Sequence, residues 1–180
     1  MRSFSRRVTF FERRRAWSSA GTRWVVWDVV DFGKFRGKGK TLPQIVFEDP
    51  DWFFWALEKG AFKGDLATQA QEVGRKAQNI KIPGNEKGEL VAEYLIQAPT
   101  GKFSDLEVVP RSRPPHEGGS PAFSKNRIDL GFVRQIKSYD KMGGKLLVGC
   151  VKHIVFGGTR VRLTRQRCEQ FFDDSKNFVP

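Results

Sequence analysis

Four cationic side chains recur at every second position of a glycine-rich stretch: Lys34, Arg36, Lys38 and Lys40. Alternate side chains of an extended chain point to the same side, about 6.6 Å apart, which is close to the spacing of successive phosphates along one nucleic-acid strand. The glycines between them let the backbone approach an anion. The pattern therefore predicts a β-hairpin whose cations contact phosphate groups. The alternative is a solvated hairpin edge that lysines protect from aggregation.

Two aromatic residues accompany these cations. Phe35 stands among them, and Trp55 follows within a stretch of four aromatic residues. Either ring is expected to pack against the turn or to stack on a base. Because base stacking on aromatic side chains is typical of proteins that bind single strands, an exposed Phe35 would indicate a single-stranded ligand.

The charge of the whole chain favours a polyanionic partner. Its 180 residues contain 32 Lys and Arg against 20 Asp and Glu, which gives a formal net charge of +12 and an isoelectric point near 10.0. Such a balance favours nucleic acid, DNA before RNA, over an acidic protein or mere solubility. No apolar run is long enough for a membrane span and no signal-peptide pattern opens the chain, so we expect a cytoplasmic protein without a membrane partner.

Two other segments are also basic. Residues 1–23 are predicted to form an irregular basic arm, because arginines there greatly outnumber the acids. Near the C-terminus, arginines flank Thr164, and we expect phosphate contacts from three of them: Arg160, Arg162 and Arg165. The helix that Thr164 would cap also offers its N-terminus to a phosphate. The alternative for this second cluster is a solvated arginine face.

The elements that must position these residues are indicated by local patterns. Residues 24–31 are rich in β-branched and aromatic types and predict a strand, and a second short strand near 41–42 would close the hairpin. A helix is predicted next, with Asp49 as its N-cap, Pro50 in its first turn and Gly60 just after its end.

The remainder predicts a mixture of helices and strands. Its expected elements are a polar helical piece at 65–79, a hairpin of strands at 90–96 and 103–109, a helix or buried strand at 145–156 and a helix at 165–173. The fold class is therefore predicted to be α+β. Its expected divisions are a basic arm (1–23), a hairpin-helix nucleic-acid-binding module (24–64) and an α+β region (65–180) with a long loop at 111–121.

One part of the chain resembles a known family. Residues 31–42, followed by residues 49–56, are similar to the small C-terminal module of exonuclease X-like proteins, over about residues 29–63. The similarity places Gly33 to Lys38 on that module's basic turn and Trp55 on its aromatic helix, while Gly39 and Lys40 depart from it as a short insertion. The resemblance implies a nucleic-acid-binding module, with double-stranded DNA favoured. It also implies a phage or mobile-element accessory factor, because the module occurs alone in such proteins.

The sequence indicates no catalytic site, no metal and no cofactor. Asp28 and Asp31 would face opposite sides of a strand, and Cys150 with His153 supplies only two zinc ligands. Two alternatives to a non-catalytic nucleic-acid-binding protein stay open. One is a protein-interaction factor that acts on a host nucleoprotein complex through the aromatic helix at 52–55. The other is a small metal-dependent nuclease.

Overall fold

A computed structural model describes residues 26–113 and 120–180, and there the chain is an α+β protein. The predicted basic arm at 1–23 lies outside the described residues, as do residues 114–119 of the predicted long loop. The helices are α1 (Leu42–Glu48), α2 (Pro50–Glu58), α3 (Gly64–Ala77), α4 (Phe132–Tyr139), α5 (Lys141–Phe156) and α6 (Arg165–Asp173). The strands are β1 (Ile80–Lys81), β2 (Leu90–Gln97), β3 (Lys102–Pro110), β4 (Ser120–Lys125) and β5 (Arg127–Ile128).

The start and end of α2 confirm the predicted helix. Oδ1 of Asp49 accepts a hydrogen bond from the backbone N–H of Trp52 at 3.1 Å, as an N-cap does. Gly60 has a φ of +59° and donates to the carbonyl of Leu57 at 3.0 Å, while Ala61 donates to the carbonyl of residue 56 at 2.9 Å. This pair of hydrogen bonds is the Schellman motif, which requires the left-handed conformation that glycine adopts without strain.

The helix α1 was not expected. The sequence predicted a strand near Thr41, but Thr41 is the residue before α1, and its N–H donates to Oε1 of Gln44 at 3.3 Å. Pro43 occupies the first turn, where a missing N–H costs no helical hydrogen bond. A Thr-x-x-Gln pattern that contains a proline is a helix-start signal, and the sequence carries it at residues 41–44.

The main sheet has three antiparallel strands in the order β3-β2-β4. Its β2–β3 pair confirms the predicted hairpin, with Val91 opposite Val109 and Gln97 opposite Lys102. The third strand, β4, pairs with the other edge of β2 and was not predicted, because it overlaps the region read as a loop. A second, two-stranded sheet joins β1 to β5, with Ile80 opposite Ile128.

The segment at 145–156, which the sequence left open between a helix and a buried strand, belongs to the helix α5. Oδ1 of Asp140 caps α5 by accepting from the backbone N–H groups of Met142 and Gly143 at 3.1 and 2.9 Å. Oγ1 of Thr164 accepts from the N–H of Arg167 at 3.3 Å, which confirms the predicted cap of α6. None of the helices in the described ranges has both the length and the hydropathy needed to cross a bilayer.

Buried side chains from residue 27 to residue 178 form one hydrophobic cluster. Phe47 of α1 is central to it, with its ring centroid 5.2 Å from that of Phe156, 5.5 Å from that of Phe171 and 5.7 Å from that of Phe172. Edge-to-face packing of this kind adds to the area that the rings bury. The contact fixes the C-terminal end of α1 against the C-terminal ends of α5 and α6.

Candidate nucleic-acid interface

The basic stretch forms a closed loop and not a β-hairpin. Val29 and Thr41 make a single antiparallel bridge, and the N–H of Val30 donates to the carbonyl of Lys40 at 2.8 Å. Among the described residues 26–31, no strand extends from this bridge, so the strand predicted at 24–31 is wrong there. The reason is that Thr41 leads directly into α1, which leaves the bridge without a second strand to continue it.

The loop is shaped by a 3₁₀ turn and by glycines. Gly33–Phe35 is the 3₁₀ turn, and the glycines at 33, 37 and 39 all have φ between +57° and +68°. Oδ1 of Asp31 accepts from the N–H of Gly37 at 2.8 Å. Because the backbone turns at these points, the side chains of residues 34, 36, 38 and 40 do not alternate along an extended strand. The predicted single row of four cations is therefore wrong.

Phe35 packs into the core beneath the loop. It is 1% exposed, and its ring centroid is 4.8 Å from that of Trp52 at an interplanar angle of 67°. Gly33 lies against the same indole, since an added Cβ there would be 3.0 Å from Cζ2 of Trp52. Of the two roles expected for Phe35, packing of the turn is the one that this geometry allows, and the ring offers no face to a base.

Lys34 anchors the loop to the rest of the protein. Its ammonium pairs with the carboxylate of Asp49, the residue that caps α2, and lies 5.2 Å from the ring centroid of Phe35. Burial, followed by the nearby charge of Lys137, lowers the pKa of Lys34. Lys137 itself is 3.5 Å from Asp49 and 3.1 Å from Asp51. Lys34 therefore belongs to a partly exposed ion network that joins the loop, α2 and α4.

The other loop cations face outward. Arg36 and Lys38 are exposed, and neither has an ion-pair partner among the described residues. The ammonium of Lys38 lies 5.5 Å from the ring centroid of Phe35, on the outer side of the turn. Nζ of Lys40 is 3.1 Å from Oε2 of Glu48 at the other end of α1, and both side chains are partly solvated. Exposed pairs of that kind are weak and leave the ammonium open to a phosphate.

Three cations from different elements lie near enough to one buried thiol for their charges to act on it. Burial raises the pKa of Cys168 to about 11; the charge of Glu169 also raises this pKa, and the charges of Lys40, Lys152 and Arg167 lower it. They come from the loop, from α5 and from α6. We call these three residues the convergent basic face.

The packing of α1 explains this convergence. Phe47 docks α1 against the ends of α5 and α6. Lys40, which stands two residues before α1, is thereby brought near Cys168 in the first turn of α6. Sequence reasoning missed Lys152, which stands in a mostly apolar segment. The sequence indicated Lys152 only through its position seven residues after Lys145, because that spacing places two lysines two turns apart on one face of a helix.

The predicted C-terminal arginines stand in the sequence between Lys152 and Arg167. Arg160 and Arg162 are exposed between α5 and α6, without an ion-pair partner in the described part of the chain. Arg165 is exposed in the first turn of α6, where Nε donates to Oε1 of Glu169 at 2.9 Å. The basic loop therefore precedes α1, the C-terminal arginines lead into α6, and these two helices pack on each other through Phe47 and Phe171.

The carboxylates and thiols considered for catalysis have structural roles. Oδ2 of Asp28 accepts from Nε2 of Gln69 at 3.1 Å, and Asp31 and Asp49 accept from backbone N–H groups. Sγ of Cys150 donates to Oδ1 of Asp105 at 3.2 Å, and burial raises its pKa to about 12, so the thiol stays protonated near neutral pH. Within residues 26–113 and 120–180, no group of three or more His, Cys, Asp or Glu side chains is arranged to hold a metal ion.

The aromatic helix turns most of its rings inward. Phe53 and Phe54 are buried in the core, and Trp52 packs against Phe35. Trp55 is 41% exposed. The run of four aromatic residues thus presents one indole to solvent, which is a small surface for the protein-interaction alternative.

Comparisons of the chain with protein-family models, with curated proteins and with solved structures found no match. The resemblance of residues 29–63 to the exonuclease X-like module therefore stays a prediction from the sequence.

Proposed function

We propose that the chain is a non-catalytic nucleic-acid-binding protein that contacts phosphates through the convergent basic face, with DNA favoured over RNA. The observation that carries the proposal is the docking of α1 on α5 and α6 through Phe47, which joins the basic loop to the helices that carry Lys152 and Arg167. Glu48 and Glu169 offset part of the positive charge of this face, and the exposed cations that have no ion-pair partner among the described residues attract a polyanion to it. Phosphate contacts of this kind position a protein on nucleic acid without reading its sequence.

The neighbouring cations extend this face. Arg36 and Lys38 on the loop and Arg160 and Arg162 before α6 are exposed and have no ion-pair partner among the described residues. The partly exposed ammonium of Lys34 contributes less than Arg36 and Lys38 do, because Asp49 pairs with it. Arg165 contributes from the first turn of α6 despite its exposed pair with Glu169.

The resemblance to the exonuclease X-like module supports duplex DNA as one ligand to test. That module places a basic turn before an aromatic helix, and here the loop precedes α2 in the same order. Its nuclease activity belongs to a separate domain, and no part of the proposal uses it.

The test is fluorescence anisotropy with labelled duplex DNA, single-stranded DNA and RNA of equal length. The variant Lys40→Ala/Lys152→Ala/Arg167→Ala should bind all three more weakly than the wild type does. A matched control, Lys59→Ala/Lys63→Ala/Lys87→Ala, removes three exposed lysines elsewhere on the described surface and the same total charge. The proposal requires the first variant to lose much more affinity than the control. Equal losses would show that only net charge matters, and the convergent basic face would then not be the site.

A further inference from the structure

A second feature of the described surface is an open cleft of about 440 Å³ between α4 and the main sheet. Its α4 wall consists of Phe132, Gln135 and Tyr139, which share one helix face because they are spaced three and four residues apart. Its sheet wall contains Phe123 and Lys125 of β4. The side of α4 that carries Arg134 and Lys137 points elsewhere, toward the acids of α2.

The aromatic wall of the cleft is held in place from behind. The ring of Phe123 stacks on the buried ring of Tyr94 with centroids 4.6 Å apart, and Phe132 meets Phe123 edge-to-face at 4.5 Å and 89°. The hydroxyl of Tyr94 accepts from the backbone N–H of Asp129 at 2.9 Å. These rings are therefore ordered before a ligand binds, whereas the exposed ring of Tyr139 has no ring contact with another described residue and would be ordered by the ligand itself.

The polar lining of the cleft includes an ammonium, an amide and a phenol. Lys125 is the charged residue among the described residues that line it, and its ammonium lies 5.3 Å from the centroid of Phe123 and 2.7 Å from Oδ2 of Asp129. Gln135 supplies an amide that both donates and accepts hydrogen bonds. Tyr139 stands at the rim with 55% of its surface exposed. A flat aromatic ligand that carries a negative charge and hydrogen-bonding edges fits rings, ammonium and amide together.

We propose that this cleft receives one unpaired nucleobase, which stacks on Tyr139 while Lys125 faces the adjoining phosphate. The proposal rests on the proposed function and refines it, because a base can enter such a cleft only when it is unstacked from its neighbours. The buried Phe35 leaves the loop without an exposed ring for this purpose. The cleft therefore gives single strands a contact that duplex DNA does not make.

The experiment compares three labelled probes by anisotropy: oligo-dT of about 12 nucleotides, the same strand with abasic sites, and a duplex of equal length. Tyr139→Ala should weaken oligo-dT binding about tenfold, the effect of one lost stacking contact, and leave duplex binding unchanged. Tyr139→Phe keeps the ring and should bind oligo-dT like the wild type. Met142→Ala is the matched control, since Met142 is 68% exposed but does not line the cleft.

The outcomes separate this proposal from the one on which it rests. If the wild type binds and the Lys40/Lys152/Arg167 variant does not, but Tyr139→Ala binds oligo-dT normally, the cleft is not a base site and the basic face stands. A Tyr139→Ala loss that is equal for duplex and abasic strands also overturns the cleft, because it is independent of an unpaired base. No wild-type binding of any probe at about 100 mM salt overturns both proposals.

Discussion

Replacing Phe35 by alanine separates the two roles that the sequence left open for this ring. Phe35 is 1% exposed and packs edge-to-face on Trp52, with ring centroids 4.8 Å apart. Two ammonium groups of the loop, from Lys34 and Lys38, lie 5.2 and 5.5 Å from its ring centroid. Alanine would therefore leave a cavity under the loop and remove the surface on which its lysines rest.

The expected loss of unfolding free energy follows from that burial. Truncation of a buried phenylalanine to alanine costs about 3–5 kcal/mol, which includes both the transfer of the ring and the cavity that it leaves. For a chain of 180 residues, each kcal/mol lowers the melting temperature by about 2–4 °C. The variant should therefore melt about 6–20 °C below the wild type.

Thermal unfolding followed by circular dichroism measures this difference, with Phe35→Leu as the control that keeps most of the volume. Leucine should cost less than alanine does, because it leaves a smaller cavity. Duplex affinity of the folded Phe35→Ala protein should fall less than that of the Lys40→Ala/Lys152→Ala/Arg167→Ala variant, because the ring supports the loop lysines but does not itself reach the ligand. A melting temperature within about 2 °C of the wild type, together with a large loss of affinity, would refute the reasoning and make Phe35 a contact residue.

Two other predictions concern the loop glycines and the buried thiol. Gly33→Ala should lower the free energy of unfolding, measured in urea, more than Gly37→Ala does. Both substitutions replace a glycine at positive φ, which costs about 1–2 kcal/mol. Only at position 33 does the new Cβ also meet Trp52, at a distance of 3.0 Å. Equal losses would contradict that contact. The pKa of Cys168 is raised from 9.0 to about 11 in the folded protein, so the thiol of the unfolded state loses its proton at lower pH. The contribution of the protonated thiol to stability is therefore complete below about pH 9 and is lost between about pH 9 and pH 11. The urea midpoint should therefore fall more between pH 8 and pH 10.5 in the wild type than in Cys168→Ala, and equal falls would exclude the effect.

Local signals in the sequence were sufficient for the elements that carry their own punctuation. Asp49 and Gly60 mark the two ends of α2, and Thr164 marks the start of α6, because each of these residues satisfies backbone groups within one turn of its position. The β2–β3 hairpin was predictable for the same reason, since its turn and both strands are contiguous.

The conformation of the basic loop was predicted wrongly as a β-hairpin, because it depends on residues that are distant in the sequence. The alternation of residues 34 to 40 is equally compatible with a strand and with a glycine-rich loop, and the choice is made by the packing of Phe35 on Trp52 and by the pairing of Lys34 with Asp49. The convergent basic face is a stronger case, because Lys40 is more than 100 residues from Lys152 and Arg167 in the sequence and is brought toward them only by the docking of α1 on α5 and α6.

The most direct test of the central claim is the salt dependence of duplex binding by the wild type, the Lys40→Ala/Lys152→Ala/Arg167→Ala variant and the Lys59→Ala/Lys63→Ala/Lys87→Ala control. Each phosphate contact adds about 0.9 to the magnitude of the slope of log affinity against log salt concentration. If all three residues contact phosphates, the first variant should lose about 2.7 from that magnitude, at 0.9 for each contact, while the control keeps the wild-type slope. Three parallel lines would contradict the account, because they would show that the convergent basic face releases no counterions when DNA binds.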